Sequence, residues 1–474
     1  MNILIIAYYF PPDSTSGAFR PLLFARHLWE LGEHVTILTA REQDYHADQP
    51  RDPSLLAEVE PHLDIFRARV FRPLQTLIGL QTRSARPPRS CTQAKPPAGS
   101  AATAADPPRS SWRRRVKDLL LDCLSTPDRH LGWLPSALHV GRKLIKQRRI
   151  DVMYATGGPW TSLLIGAILK AWTKRPLLMD FRDPWVSNPY LQRKVRWLRA
   201  LDAMLERRAL KYADTIITNT EELAADFLER YPWLTKDSVV TIPNGFEGYS
   251  GKPAGARSGR LTLIHAGALY FSRNPRALLE AIVNVVAQQA IPQGELRLIL
   301  LGELAIEDPA LNALWENPIV QDVVEIVPRL PYREALAYQM ASDVLCVIQP
   351  DFPLQVPRKL YEYMALRKPI LGITNPGGAT ARTIQGLRLG MVVENRPAAI
   401  EGALKTLYAE WKRGFSDRPP PASCDRYRNA NLAATLLEVM RKTCTASGRG
   451  ACSPREHVGG GADGAARTDR ERAG

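Results

Sequence analysis

The sequence predicts an α/β protein of two Rossmann-like domains, each a doubly wound parallel sheet, facing each other across a cleft. Three observations carry this. Short apolar runs alternate with stretches of helical spacing along most of the chain, the pattern of successive βαβ units. The runs are apolar throughout rather than at every second residue, as in strands covered on both faces. About eleven such runs occur, more than one twisted open sheet comfortably holds.

The chain opens on NILIIAYYF, residues 2–10, a strand that Pro11 and Pro12 end. No basic stretch precedes it and proline comes too soon for a signal peptide. Residues 17–31 have helical spacing, with Leu23, Ala25, Leu28 and Leu31 apolar and Gly32 at the C-cap position. EHVTILTA is the next strand. DVMYAT, PLLMDF, DTIITNT and VVTIP complete a first domain over residues 1–243. Glycine-rich residues 244–260 form a linker. LTLIHAG, LRLILLG, VVEIVP, DVLCVIQ and PILGI build a second domain over residues 261–425. Residues 426–444 are expected to form a helix that packs back on the first domain. Two low-complexity segments, 82–111 and 445–474, are poor in large apolar residues and are expected to be disordered.

Composition narrows the partners. The 474 residues carry a net charge of +15 and the pI is about 9.6, which favours anionic partners. No nucleic-acid-binding signature accompanies the charge. An anionic membrane surface or a phosphorylated ligand is the expected partner. The six cysteines show no CxxC and no disulfide spacing, as expected in a reducing compartment. The histidines show no metal-binding spacing. No window offers ~18 uninterrupted apolar residues. The chain is therefore expected in the cytoplasm, with no metal and no resident cofactor.

In open parallel sheets ligands bind at the carboxyl ends of the strands, so the residues that follow each strand are the candidates for chemistry. After the first strand, PPDSTSGAFRP places Ser16 and Gly17 in a small-residue turn before a helix. Such a turn either simply connects or offers backbone N–H groups to a polar ligand, and Arg20 lies one turn on to meet an anion. After DVMYAT, Gly157 and Gly158 permit a tight turn, and Thr161 or Ser162 caps the next helix. After PLLMDF stand Asp180, Arg182 and Asp183, either salt-bridged or presenting a carboxylate to the cleft. After LTLIHAG, Asn274 is a natural N-cap with Pro275 at N1. Arg273 sits just before that helix. A cation there opposes the helix dipole unless an anion lies between them. With Gly267, this points to a phosphate site. Lys359 and Glu362, in VPRKLYEYMALRKPILGI, are one helical turn apart at the mouth of a buried strand.

Several blocks together resemble family-four glycosyltransferases of the GT-B fold: YYFPPDSTSGAFRP, GEHVTILTA, PDRHLGW, DFRDPW, IPNGF, HAGALYFSRNPRALLEAI, LPYREALAYQMASDVL and PRKLYEYMALRKPIL. They run in the expected order from residue 1 to about 410, and are most similar to bacterial enzymes of surface-polysaccharide assembly. The resemblance implies that Glu362 contacts the donor ribose hydroxyls. It also implies that Lys359 and Arg273 face the donor diphosphate, and that Tyr332 lies in the loop lining the base. Two positions depart from the family pattern. Leu354 stands where many members have a sugar-binding glutamate, and Ala268 where an arginine often follows the glycine. Backbone amides near Val356–Arg358, or Asp351, are the replacements considered.

The resemblance further implies retention of the anomeric configuration. Without a metal motif, fixed cations and a helix N-terminus must stabilise the departing diphosphate. Asp183 or the departing phosphate oxygen would take the acceptor proton. No flanking carboxylate pair suggests a glycosidase. The acceptor is expected to be a glycan or a lipid-linked molecule. WRRRVKDLLLDCL, residues 112–124, and the stretch 191–214 are basic and amphipathic, which suits a peripheral position on the inner face of the membrane. A nucleotide-sugar epimerase of the same fold and a non-catalytic partner subunit are the alternatives.

Overall fold

The computed structural model describes residues 1–46, 49–71, 122–123, 126–189, 191, 195–248, 259–415 and 422–448. The segment 82–111, nearly all of 112–124, most of the linker and the tail beyond 448 lie outside the described residues.

Seven strands, β1 (Asn2–Ile6), β2 (His34–Ala40), β3 (Asp64–Ala68), β4 (Val152–Gly157), β5 (Leu177–Phe181), β6 (Thr215–Thr218) and β7 (Val239–Thr241), form one parallel sheet in the order β3-β2-β1-β4-β5-β6-β7. Six more, β8 (Leu261–Ala266), β10 (Leu296–Leu301), β12 (Val324–Val327), β13 (Val344–Gln349), β14 (Ile370–Thr374) and β15 (Gly390–Val393), form a second in the order β12-β10-β8-β13-β14-β15. Between them in sequence, β9 (Leu269–Tyr270) and β11 (Leu304–Ala305) pair as a short ribbon. Both large sheets are wound in two directions from a central pair, as the sequence predicts. The strand order reverses between β1 and β4 in one, and between β8 and β13 in the other.

The unbroken apolar runs have a direct cause. Successive strand residues point to opposite faces. Leu4 and Ile6 enter one core and Ile3 and Ile5 another, so every position of β1 after Asn2 is buried. The second sheet repeats this, with Leu298 and Leu300 on one side and Ile299 and Leu301 on the other. The strands absent from the sequence reading are mainly the edges β3 and β15. Their residues are mostly half-buried, so DIFRA and GMVV lack the long apolar run that marks an inner strand.

The last helix, Asn429–Ala446, sets Leu432, Ala433, Leu436, Leu437 and Met440 into the core beneath the first sheet, beside Leu22 and Ala25. Two hydrogen bonds tie the chain where it leaves the first domain to where it returns. Phe246 N–H donates to Tyr427 O at 3.0 Å, and Asn429 N–H donates to Phe246 O at 3.1 Å. Among the described residues no helix is long and apolar enough to cross a membrane.

Candidate active site

The carboxyl ends of β1 and β4 bring two loops together. The first runs from Pro11 into the helix Ser16–Glu30. Asp13 is fully buried there, accepts from Thr15 N–H at 2.6 Å and accepts from the Gln49 side chain. Burial raises its pKa. Ser16 is exposed at the start of the helix. At Gly17 a Cβ would lie 2.8 Å from the Tyr9 ring and 3.2 Å from the Arg182 guanidinium, so only glycine allows this approach. Arg182 forms no ion pair with either aspartate. Its Nε donates to Gly157 O at 2.7 Å, and its other nitrogens donate to Gly17 O and Gly158 O. It is a clamp on both loops. Neither Thr161 nor Ser162 caps the helix Thr161–Thr173 with its side chain. Asp128 does so from outside, accepting from Thr161 N–H and Oγ1, both at 2.8 Å.

Arg20 and Asp180 correct the sequence reading. Arg20 does not wait for an anion. It donates to Asp180 at 2.9 and 3.0 Å, to Ile242 O and Pro243 O at 2.7 Å, and to Asn244 Oδ1 at 3.4 Å. Every guanidinium N–H is engaged. Asp180 also accepts from Tyr154 at 2.7 Å and Thr156 at 2.8 Å. This buried network joins the first helix, the middle of the sheet and the start of the linker.

The second sheet supplies cations. Gly267 follows β8 with φ +134°, and a Cβ there would lie 2.9 Å from Lys359 Nζ. Lys359 sits in the first turn of the helix Arg358–Leu366. The Tyr363 hydroxyl fixes that helix to the sheet by accepting from Ala266 N–H at 3.3 Å. Lys359 Nζ lies 2.9 Å from Nε2 of His265. Burial, then the charge of Arg273, lowers the Lys359 pKa to about 7. Arg273 is held over the rings of Tyr270 and Phe352, at 4.9 and 5.4 Å, and bonds to the Tyr270 hydroxyl at 3.1 Å. Its Nε is buried and bonds to nothing among the described residues. No described carboxylate forms a salt bridge with Arg273 or Lys359. Two basic side chains thus lie in each other's field, offset only in part by the charge of Glu362.

Asp183 comes to meet them. It is half-buried, burial raises its pKa, and the charges of Arg182 and Arg273 lower it. Its Oδ1 accepts from Gln355 Nε2 of the second domain at 2.7 Å. Leu354 packs against the core of the first domain, and its carbonyl accepts from Thr220 Oγ1 at 2.6 Å. The chain therefore carries an interdomain contact where the resembling family often has a glutamate, and the next residue turns into the cleft. Asp351 is exposed.

The remaining candidates fall as follows. Asn274 accepts from Arg276 N–H at 2.9 Å and donates to Asp308 at 2.7 Å, although the helix itself begins only at Arg276. Glu362 is buried and pairs with Arg358 at 2.8 Å. Tyr332 stands at the start of the helix Tyr332–Ala341, its ring 5.7 Å from Phe19 of the first domain. His265 and Gln355 were missed by sequence reasoning. Their only signal is position, one just before and one shortly after a strand end that carries a predicted site residue. Among the described residues no group of three or more His, Cys, Asp or Glu converges to hold a metal ion.

Two doubly wound parallel-sheet domains, in contact through Asp183 and Gln355 and with basic side chains at the end of β8, define an enzyme of the GT-B fold. Residues 20–245 match the family model of the glycosyl transferase 4-like domain, and residues 260–410 that of the glycosyl transferases group 1. The chain is a glycosyltransferase made of these two domains in that order. No curated protein matches the chain. Solved structures are similar to it in fold. One is HepE of Anabaena in complex with UDP, 13% identical with TM-score 0.61, covering 93% of this chain and 100% of that one. Another is sucrose-phosphate synthase of Thermosynechococcus elongatus, 16% identical with TM-score 0.59, covering 94% and 100%. A third is the lipopolysaccharide outer core galactosyltransferase WaaB, 12% identical with TM-score 0.53, covering 93% and 99%.

Proposed function

We propose that this glycosyltransferase moves a sugar from a nucleoside-diphosphate sugar to a glycan or lipid-linked acceptor in surface-polysaccharide assembly, with retention and without a metal ion. The Arg273–Lys359 pair beside Gly267 carries the donor reading. An anion between these groups relieves the repulsion while keeping Lys359 charged, and a diphosphate supplies one with several oxygens. The complex of the similarly folded HepE with UDP supports a nucleotide ligand. Glu362 is the residue for the ribose hydroxyls, its carboxylate steered by Arg358. Asp183, whose pKa burial raises, is the proposed acceptor of the acceptor-hydroxyl proton. Gln355 stands at the same carboxylate, where an acceptor or sugar hydroxyl would replace its amide.

A screen of nucleotide sugars by thermal stabilisation tests this, because a ligand that binds the folded state raises its stability. At least one donor is expected to stabilise the protein, and Glu362→Gln to weaken that donor with the far-ultraviolet circular dichroism unchanged. Unchanged affinity in the variant removes Glu362 from the site.

The acceptor side is proposed to lie on an anionic membrane. The helix Arg196–Tyr212 buries Asp202 and Glu206 and leaves Trp197, Met204 and Tyr212 exposed. Trp233, also exposed, lies under Arg207 and Lys211 at 5.0 and 5.7 Å. Aromatics and cations on one outward surface suit the headgroup region. Each basic residue at such a surface contributes ~1 kcal/mol, so Arg207→Gln with Lys211→Gln should weaken sedimentation with anionic vesicles by roughly tenfold or more. Equal sedimentation of wild type and variant would remove this helix from the interface.

A further inference from the structure

We infer that His265 is a positioning residue for the diphosphate-binding cation: its Nε2 holds Lys359 Nζ beside Gly267 until a phosphate oxygen of the donor takes its place. This rests on the donor reading of the Arg273–Lys359 pair. His265 lies on β8, fully buried, so its ring has one orientation set by packing. An ammonium only donates. The imidazole therefore accepts at Nε2, 2.9 Å from Nζ, and carries its own hydrogen on Nδ1. Burial and the charges of Lys359 and Arg273 hold the His265 pKa well below its ordinary value, which keeps the ring neutral and able to accept.

The groups that face Lys359 come from four directions. They are His265 from β8, Arg273 from the loop after β9, the Cys346 thiol from β13 and Glu362 from its own helix. Arg273 disfavours the ammonium, while Glu362 and Cys346 favour it less strongly than burial opposes it. An acceptor that is neutral, rather than a carboxylate, has a definite consequence. A carboxylate would neutralise the lysine permanently and compete with the incoming diphosphate. A neutral imidazole orients Nζ and yields it. On binding, the diphosphate supplies the negative charge that the empty site lacks, and a proton is taken from solvent onto Nζ wherever the amine was neutral beforehand. The sign follows directly. The bound state holds Lys359 protonated, and the free state loses that proton as pH rises through about 7. Affinity for a diphosphate therefore falls above that pH, by up to about tenfold per pH unit. Working above pH 7 keeps the nucleotide's own terminal phosphate, with a pKa of about 6, fully ionised.

The experiment measures binding of UDP, GDP, ADP and dTDP by calorimetry between pH 7 and 9, in buffers of different ionisation enthalpy. The full chain is used as wild type, His265→Leu, His265→Gln and His265→Asn. A glutamine places its oxygen near the position of Nε2, whereas an asparagine reaches only as far as Nδ1. Wild type is expected to take up close to one proton per bound diphosphate at about pH 8. His265→Leu should shift the loss of affinity to lower pH and raise Kd about tenfold at pH 8. His265→Gln should restore the wild-type profile and His265→Asn should not. If the leucine variant does not fold, the contrast between glutamine and asparagine decides. Identical profiles for all four proteins, or wild-type binding without proton uptake, overturn the role of His265 while leaving the donor site in place. Failure of wild type to bind any of the four diphosphates overturns the donor reading itself, and this inference with it.

Discussion

Arg273→Ala and Lys359→Ala are each expected to lower sugar transfer roughly tenfold to a thousandfold, the usual effect of removing one fixed group that stabilises a developing charge. They should do so without loss of stability, and that combination is the signature. Neither side chain forms a salt bridge with a described carboxylate. Each lies in the field of the other, and the repulsion contributes to depressing Lys359. Removing either cation from the empty protein relieves that repulsion. Removing it from the complex takes away a partner of the leaving diphosphate. Steady-state rates and urea denaturation of the same preparations separate the two effects. On the proposed mechanism activity should persist in EDTA, with the two basic side chains in the role of a metal ion. A strict requirement for magnesium or manganese would count against this mechanism, as would alanine variants that lose activity only because they unfold.

The opposite pattern is expected in the buried network of the first domain. Arg20→Ala or Asp180→Asn should destabilise the protein by ~3–5 kcal/mol, the cost of leaving one partner of a buried ion pair uncompensated. Asp180 accepts four hydrogen bonds, two from Arg20 and one each from Tyr154 and Thr156. Arg20 in turn satisfies the carbonyls of Ile242 and Pro243. Loss of either side chain therefore orphans polar groups on two segments at once, each group costing about 1–3 kcal/mol when buried and unpaired. Denaturant unfolding measures this. Variants within ~0.5 kcal/mol of wild type, the range of ordinary surface substitutions, that nevertheless lose activity would return Arg20 and Asp180 to the substrate site.

These two predictions mark where the sequence was legible. Gly267 was recognisable from the sequence because a strand end followed by a glycine and then a basic helix start has few other uses. Lys359 and Glu362 were recognisable because a charged pair before a buried strand needs a reason. Arg20 and Asp180 carried the same kind of signal, charged residues near strand ends. What told them apart was 160 residues of intervening chain, since the two meet only after β5 lies beside β4 and the first helix folds across the sheet. A lone charge gives no sign in sequence of whether its partner is a ligand or another side chain.

The alternation of apolar runs and helical stretches by itself determined two parallel sheets, because a strand covered on both faces must be apolar at every position. It also puts the expected chemistry at the strand ends. Tertiary structure alone decided which charges are paired. Arg20 is closed by Asp180 and two carbonyls, Arg182 by three carbonyls, and Arg358 by Glu362, while Arg273 and Lys359 lie in each other's field. It also brought His265 under Lys359 and Gln355 to Asp183. Burial sets how much a charge costs, and packing sets whether a partner is within reach. Both depend on contacts between residues far apart in the chain, which a pattern of neighbouring residues does not contain.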